Sequence, residues 1–425
     1  MMNISLFIFL LSKEVLYYNY FVKRLMKPYN SGMNMRLRIS PLCLLIVLLP
    51  LFGGCKKEAP NNEKIIYNDG TEEVVKEPTI TSGLNNGEEV SILPKEWMLY
   101  YHDLEDEKNI IKYFFVDVEN TAPQNLIIRW ENKNPTSNYS FVLSDNKQMN
   151  EPHIYDVDEA LIDLTDLYAG THYYYQIKAL YDDKTVISQR FDFKTVDFFR
   201  TIKIDGVLNA RDLGNKKTKD GKKVVKQGLV YRTASFDSVS AKGIRQATET
   251  YGIKTDLDLR EKGPTASPLG SGVQYINNGV GTYGSPYYVS YDTGVNVPEY
   301  QEAMRDNLKV FANKDNYPLA FHCAVGRDRT GTLAITLLLL LGVNKEQIMQ
   351  DYLVSLFSKA CNSEAVNFNN LYESMNTLLY YYENYKGGAE SDNIDIYKRV
   401  ENYCLHIGLS KDEITSIRNI LLEDL

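Results

Sequence analysis

The 425-residue chain is too long for one small domain and long enough for about three units of ~150 residues. Its 44% hydrophobic and 24% charged residues are those of a globular protein and give no support to the disordered, collagen-like or disulfide-scaffold classes. A net charge of −8 argues against a general nucleic-acid binder, but the acidity is regional: residues 1–54 carry +5, 55–197 carry −13, and in 198–425 the charges balance.

The first informative element is a leader. Arg36 and Arg38 precede an apolar run from Ile39 to Phe52, which ends in Gly53, Gly54 and Cys55. A basic start, an apolar core of that length and small residues before the cut predict a secretion signal, since a span needs about 20 apolar residues. Residues 1–32 read as an upstream extension of the reading frame. The Gly-Gly-Cys ending resembles the lipobox of bacterial lipoproteins, with Phe52 where that box usually has Leu. The resemblance implies lipidation of Cys55, a membrane tether without a span, and a place in the cell envelope, periplasmic or on the outer surface. Residues 55–95, rich in Asn, Glu, Gly and Pro, read as a flexible tether.

From 96 to 197 the pattern is of short aromatic and β-branched runs between Asn, Asp, Pro and Gly clusters, which predicts an all-β sandwich. Its clearest strands are 125–130, 139–143, 173–179 and 188–195. The stretch 164–180 resembles fibronectin type III domains. Leu164, Leu167, Gly170, Thr171, Tyr173, Ile177 and Ala179 fall where that immunoglobulin-like family has its core and corner tyrosine, and Trp130 where its B-strand tryptophan packs. A spacer or packing role is expected of it, because such a fold carries no chemistry by itself.

In residues 198–425 the segment 317–331, YPLAFHCAVGRDRTG, carries the strongest signal. Leu319–His322 reads as a buried strand, and Thr330 opens a helix that is apolar nearly all round, capped at Gly342 and followed by a second helix from Lys345. Between them, Cys323 and Arg329 are separated by five residues. Backbone N–H groups of so short a loop can converge on one anion, with the helix N-terminus adding donors and dipole. The same field favours a thiolate at Cys323. Arg329 can grip two phosphate oxygens with its planar fork, and Gly326 and Gly331 let backbone approach the ligand.

HCAVGRDRTG resembles the signature of the cysteine-dependent tyrosine phosphatases. NARDLG (209–214), VYRTAS (230–235), DLDLRE (256–261) and QDYLVS (350–355) look like motifs of the bacterial group typified by the mycobacterial secreted enzyme. The resemblance implies an α/β catalytic domain over 198–425, a central sheet flanked by helices, that hydrolyses phosphate monoesters through a phosphocysteine on Cys323. Arg329 would bind the equatorial oxygens, Thr330 the returning thiolate, and His322 would hold the loop formed by Ala324, Val325, Gly326, Arg327 and Gly331. Asp328 would be the general acid, with Asp258 and Asp292 as competitors. Protein phosphotyrosine is the implied substrate, with dual specificity open. Phosphoinositides or inositol phosphates are the alternative, in doubt because Arg327 stands where the family often has Lys. No cofactor and no metal is implied. A non-enzymatic reading, an inactive phosphate-recognition or adhesion lipoprotein, is opposed by the intact Cys323, Asp328 and Arg329.

Lys216, Lys217, Lys219, Lys222, Lys223 and Lys226 surround Asp220-Gly221 and read as a solvated hairpin, with polyanion steering as the other reading. Residues 261–297 read as a long loop, either a lid or an excursion on the sheet. Cys361 and Cys404 are expected to be buried and unpaired, and Ser410 with Glu413 predicts a capping box on the last helix.

Overall fold

The computed structural model describes residues 63–75, 79–280, 297–362, 368–386 and 394–425. The leader, Cys55 and Asp292 lie outside the described residues.

The N-terminal half is built from strands β1 (Lys64–Tyr67), β2 (Glu72–Val74), β3 (Ile80–Ser82), β4 (Glu88–Val90), β5 (Leu126–Asn132), β6 (Tyr139–Ser144), β7 (His153–Val157), β8 (Leu161–Leu164), β9 (His172–Leu180), β10 (Lys184–Ile187) and β11 (Phe191–Thr195). Eight of them form one sheet with β9 at its centre, and β3-β5-β8 form a second. Alternation in β9 turns Tyr173, Tyr175, Ile177 and Ala179 inward, where they share a core with Ile128, Trp130 and Leu164 of the second sheet. The Tyr168 N–H donates to the Tyr173 hydroxyl at 2.7 Å, tying the turn before β9 to its own strand.

The expected boundaries shift at two places. Residues 55–95, read as a tether, contain β1 to β4, and β1 and β4 pair with β10 and β11 of the large sheet. Strands of three or four residues with Glu at several positions are too short to show a period of two. Residues 96–121 lie inside the stretch read as sandwich, yet helix α1 (Lys95–Tyr101) buries Trp97 and Tyr100 in the core of the C-terminal half. Trp97 stacks on Phe357 with ring centroids 5.2 Å apart.

The C-terminal half is organised on a sheet of order β12-β14-β17-β15-β16, comprising Arg211–Asp212, Val230–Thr233, Leu319–His322, Thr255–Arg260 and Gln274–Val280. The last four are parallel, and β17 lies between β14 and β15. Ligand sites in such sheets form beyond the C-terminal strand edge, where β17 ends at His322. Helix α4 (Asp328–Leu340) follows, with every residue from Thr330 to Leu340 buried. It begins two residues before the expected Thr330, because the acidic Asp328 suits a first helical turn. Gly342 sits just past its end at φ +78°, and helix α5 (Lys345–Leu353) starts where expected. The last helix, α8 after α6 (Phe368–Glu383) and α7 (Ile396–His406), spans Lys411–Leu421 behind the Ser410–Glu413 capping box; α2 and α3 are Ala241–Arg245 and Pro298–Ala312. The stretch 261–297 is not loop throughout: β16 adds the sheet's edge strand.

Candidate active site

The turn from β17 to α4 is held open from outside. The Cys323 carbonyl accepts from His322 Nδ1 at 3.0 Å, and the Ala324 carbonyl from the Ser235 N–H at 3.1 Å. The Val325 carbonyl accepts from Asn209 Nδ2 at 3.0 Å and from the Cys361 thiol at 3.3 Å, and the Gly326 carbonyl from Arg232 Nη2 at 3.0 Å. In a planar trans peptide the next N–H points opposite to the carbonyl. Four successive carbonyls bonded outward therefore turn the N–H groups of residues 324–327 to the other side, where they can meet one anion. Gly326 is needed for this path. Its φ is +72°, and a Cβ there would stand 2.3 Å from the Thr233 carbonyl oxygen.

Beneath the loop lies a buried charge cluster. Asp351 accepts from Arg211 Nε at 3.1 Å, faces Lys216 Nζ at 3.3 Å and takes a further bond from Arg232, all four side chains being at most 1% exposed. Three cations against one carboxylate leave the cluster positive. Burial, and then the neighbouring Arg232 charge, bring the Arg211 guanidinium down to about 10. Arg211 also donates to Asn209 Oδ1 at 2.6 Å and to Ser355 at 3.0 Å, so the anchor of Val325 is itself anchored.

Cys323 is 2% exposed. Burial is the largest influence and pushes its thiol up, but the Thr330 hydroxyl and N–H and the Arg329 charge outweigh it, so the thiol ends below its ordinary value. Thr330 Oγ1 is fully buried and, among the described residues, has no oxygen or nitrogen partner. Both nitrogens of His322 face acceptors, Nε2 donating to Asp256 Oδ1 at 2.9 Å. Burial works to lower this imidazole pKa; the Asp256 bond and charge, with Asp258, outweigh burial and raise it, favouring the positive ring. Arg329 is half-buried and donates to the Leu259 carbonyl at 3.4 Å, at the end of the strand beside the loop.

These shifts make an expected result. Because the thiolate is the reactive form, the iodoacetate inactivation rate should reach half its plateau at a pH below the ordinary thiol value of about 8.5. Thr330→Val, which keeps the shape and removes the hydroxyl, should move that midpoint upward. A wild-type midpoint at or above the ordinary value would contradict the arrangement.

Arg327, placed in the phosphate loop where the family often has Lys, is 8% exposed. Its Nε and Nη2 donate to the two oxygens of Asp328 at 3.0 and 3.3 Å, and its Nη1 to the Cys361 carbonyl at 3.1 Å. Burial opposes this charge, and Asp328 more than restores it. Lys216, read as part of a solvated hairpin, is completely buried against Asp351 and over the Phe199 ring. The turn at Asp220-Gly221 forms as expected, but Lys217, Lys219 and Lys223 are paired with Asp197, Asp395 and Asp424.

Asp258 is held by Arg260 and accepts from Tyr275 at 3.0 Å. Burial raises its pKa, while the Arg260 bonds and His322 outweigh burial and lower it. Among the described residues Cys361 and Cys404 are buried and unpaired, each thiol pushed up to about 12 chiefly by burial. Sequence reasoning named the stretches that contain Asn209, Arg211, Arg232, Asp256, Asp351 and Ser355 without assigning the residues a task. Cys361 stood in no such stretch, and a lone Cys in a helical pattern gives no signal of loop support.

Residues 202–423 match the family described as the tyrosine phosphatase family. A protein of Cupriavidus necator named as a candidate tyrosine-protein phosphatase is 28% identical over 171 residues, covering 36% of this chain and 61% of that relative's own length. Among solved structures, the core catalytic domain of the PP-IP phosphatase SIW14 from S. cerevisiae, in complex with citrate, aligns at 19% identity and a TM-score of 0.25, over 34% of this chain and 79% of that one. A second structure, of the Siw14 catalytic core, aligns at 19% identity and a TM-score of 0.23, over 35% and 88%.

Proposed function

The chain belongs to the tyrosine phosphatase family, and from that premise we propose that it hydrolyses phosphate monoesters, protein phosphotyrosine foremost, through a phosphocysteine on Cys323. The observation that carries this reading is the run of four outward-bonded carbonyls around a lowered thiol. The N–H groups of Ala324, Val325, Gly326 and Arg327 would bind the phosphate oxygens. Cys323 Sγ attacks phosphorus, the bond to the leaving oxygen breaks, and Asp328 gives that oxygen its proton. Water, deprotonated by the same carboxylate, then cleaves the S–P bond and releases inorganic phosphate. Arg329 holds the equatorial oxygens as charge builds on them, Thr330 receives the restored thiolate, His322 fixes the loop's first carbonyl, and Gly331 keeps the helix start clear.

A phosphoinositide reading would place the Arg327 cation against the substrate, whereas its fork is engaged by Asp328 and the Cys361 carbonyl. That supports phosphotyrosine. For the N-terminal part, we read the two-sheet core and the Tyr168–Tyr173 bond as supporting a fibronectin type III-like module. The pattern of Arg36, Arg38 and Gly53-Gly54-Cys55 supports a lipid anchor at Cys55 that holds the enzyme in the cell envelope.

The test is release of phosphate, without added metal, from phosphotyrosyl and phosphoseryl peptides and from phosphoinositides. The expected order is phosphotyrosyl peptide first, with phosphoinositide turnover at least about tenfold slower, a barrier difference near 1.4 kcal/mol. Faster phosphoinositide turnover would favour the alternative substrate, and no turnover of any ester would favour the non-enzymatic reading.

A further inference from the structure

The residues that hold the loop are themselves held by a segment from the other end of the chain. Cys361 supports the loop twice, its thiol donating to the Val325 carbonyl and its carbonyl accepting from Arg327. It lies in the turn 358–362, where Ser358 and Asn362 are 0% and 1% exposed. That turn is bonded along one side to residues 117–120, which lie between strands β4 and β5 of the N-terminal module. The Asp117 N–H donates to Asn362 Oδ1 at 2.9 Å, and Asn362 Nδ2 donates to the Val118 carbonyl at 2.9 Å. Glu119 Oε2 accepts from the Ser358 hydroxyl at 2.7 Å and the Lys359 N–H at 3.0 Å, while its other oxygen accepts from Thr121. The Asn120 N–H donates to the Phe357 carbonyl at 2.8 Å. Asp117 takes a left-handed φ of +59°.

A spacer would not be expected to enter the catalytic half this way. We propose that residues 117–121 are a brace for the phosphate loop, with Glu119 the positioning residue that fixes the 358–362 turn and, through Cys361, the register of Val325 and Arg327. The proposal rests on the phosphate-loop reading of 323–329, and it gives the segment between β4 and β5 a part in the chemistry. Glu119 touches no substrate; its effect is on where the loop's N–H groups point and how they stabilise the thiolate.

The experiment compares the full chain with Glu119→Ala, Glu119→Gln and Thr121→Val. Three readouts are inorganic phosphate affinity, the pH midpoint of iodoacetate inactivation, and the melting temperature. Removing the shared acceptor leaves the Ser358 hydroxyl and Lys359 N–H without their partner. Glu119→Ala should therefore weaken phosphate binding, by up to about tenfold, the scale on which loss of a part-buried hydrogen bond acts, and raise the inactivation midpoint. Glu119→Gln keeps an oxygen that accepts the same two bonds and should restore both readouts. Thr121→Val, a milder change, should move both in the Glu119→Ala direction by less, and it serves if Glu119→Ala does not fold. If Glu119→Ala lowers the melting temperature while phosphate affinity and midpoint stay at wild-type values, the contact is structural only and the brace is overturned. If wild type itself neither binds phosphate nor shows a lowered midpoint, the phosphate-loop reading fails and takes the brace with it.

Discussion

Replacing Cys323 with serine should reduce p-nitrophenyl phosphate turnover by about 10⁴-fold or more, the scale on which loss of a covalent nucleophile acts, while phosphate still binds. The two halves of that result have separate causes. A serine hydroxyl stays protonated across the neutral range, and neither Thr330 nor Arg329 can make it an oxyanion at the cost that suffices for a thiol. The phosphate cradle is independent of the sulfur, because its carbonyls are bonded to His322, Ser235, Asn209, Cys361 and Arg232. Serine also removes the thiolate charge that opposes an incoming phosphate, so the affinity for inorganic phosphate should equal or exceed that of wild type. Phosphate release compared between the two proteins, with phosphate titrated against each, checks both halves. Turnover by Cys323→Ser at the wild-type rate would remove Cys323 from the mechanism.

The loop itself was readable because its chemistry is local: seven residues from Cys323 to Arg329, a buried strand before and an apolar helix after. Its support was not, because the supporting residues come from five separate stretches that meet only in the fold. NARDLG is an example. Asn209 bonds Val325, Arg211 bonds Asn209 and Asp351, and Asp212 pairs with Arg200 at 3.0 Å, but spacing alone distinguishes none of these tasks. Arg327 shows the opposite difficulty. The sequence places it in the loop, and only the three-dimensional neighbours, Asp328 and the Cys361 carbonyl, reveal that its fork is occupied. In the N-terminal half, the longer strands were visible, β5 and β9 from their period of two and β6 from its aromatic and β-branched run, whereas β1 to β4 are too short to carry a period. The 96–121 segment escaped because its aromatic residues suit a sandwich core as well as the core they join.

Asp351→Asn should be the most destabilising single change near the site, by about 3–5 kcal/mol, the usual cost of removing one partner from a buried ion cluster. Among the described residues the carboxylate is the sole anion bonded to Arg211, Lys216 and Arg232, so the amide leaves three buried cations facing one another. Burial pushes the Asp351 carboxyl up, and the three cations outweigh it and hold it far below the ordinary range. The sign of the pH dependence follows. A depressed folded pKa contributes stability that is fully present above the unfolded value, about 3.9, and is lost only as pH falls towards the folded one. The gap between wild type and Asp351→Asn should therefore be widest at neutral pH and narrow only below about pH 4. Lys216→Met in the Asp351→Asn background should recover part of the loss, since it removes one unpaired cation, and the two changes should be clearly non-additive. Activity should fall with stability in Asp351→Asn, because Arg232 and Arg211 position Gly326 and Asn209. Thermal unfolding of the three variants across pH measures all of this. A melting temperature for Asp351→Asn equal to that of wild type at pH 7 would show that the carboxylate does not balance the cluster.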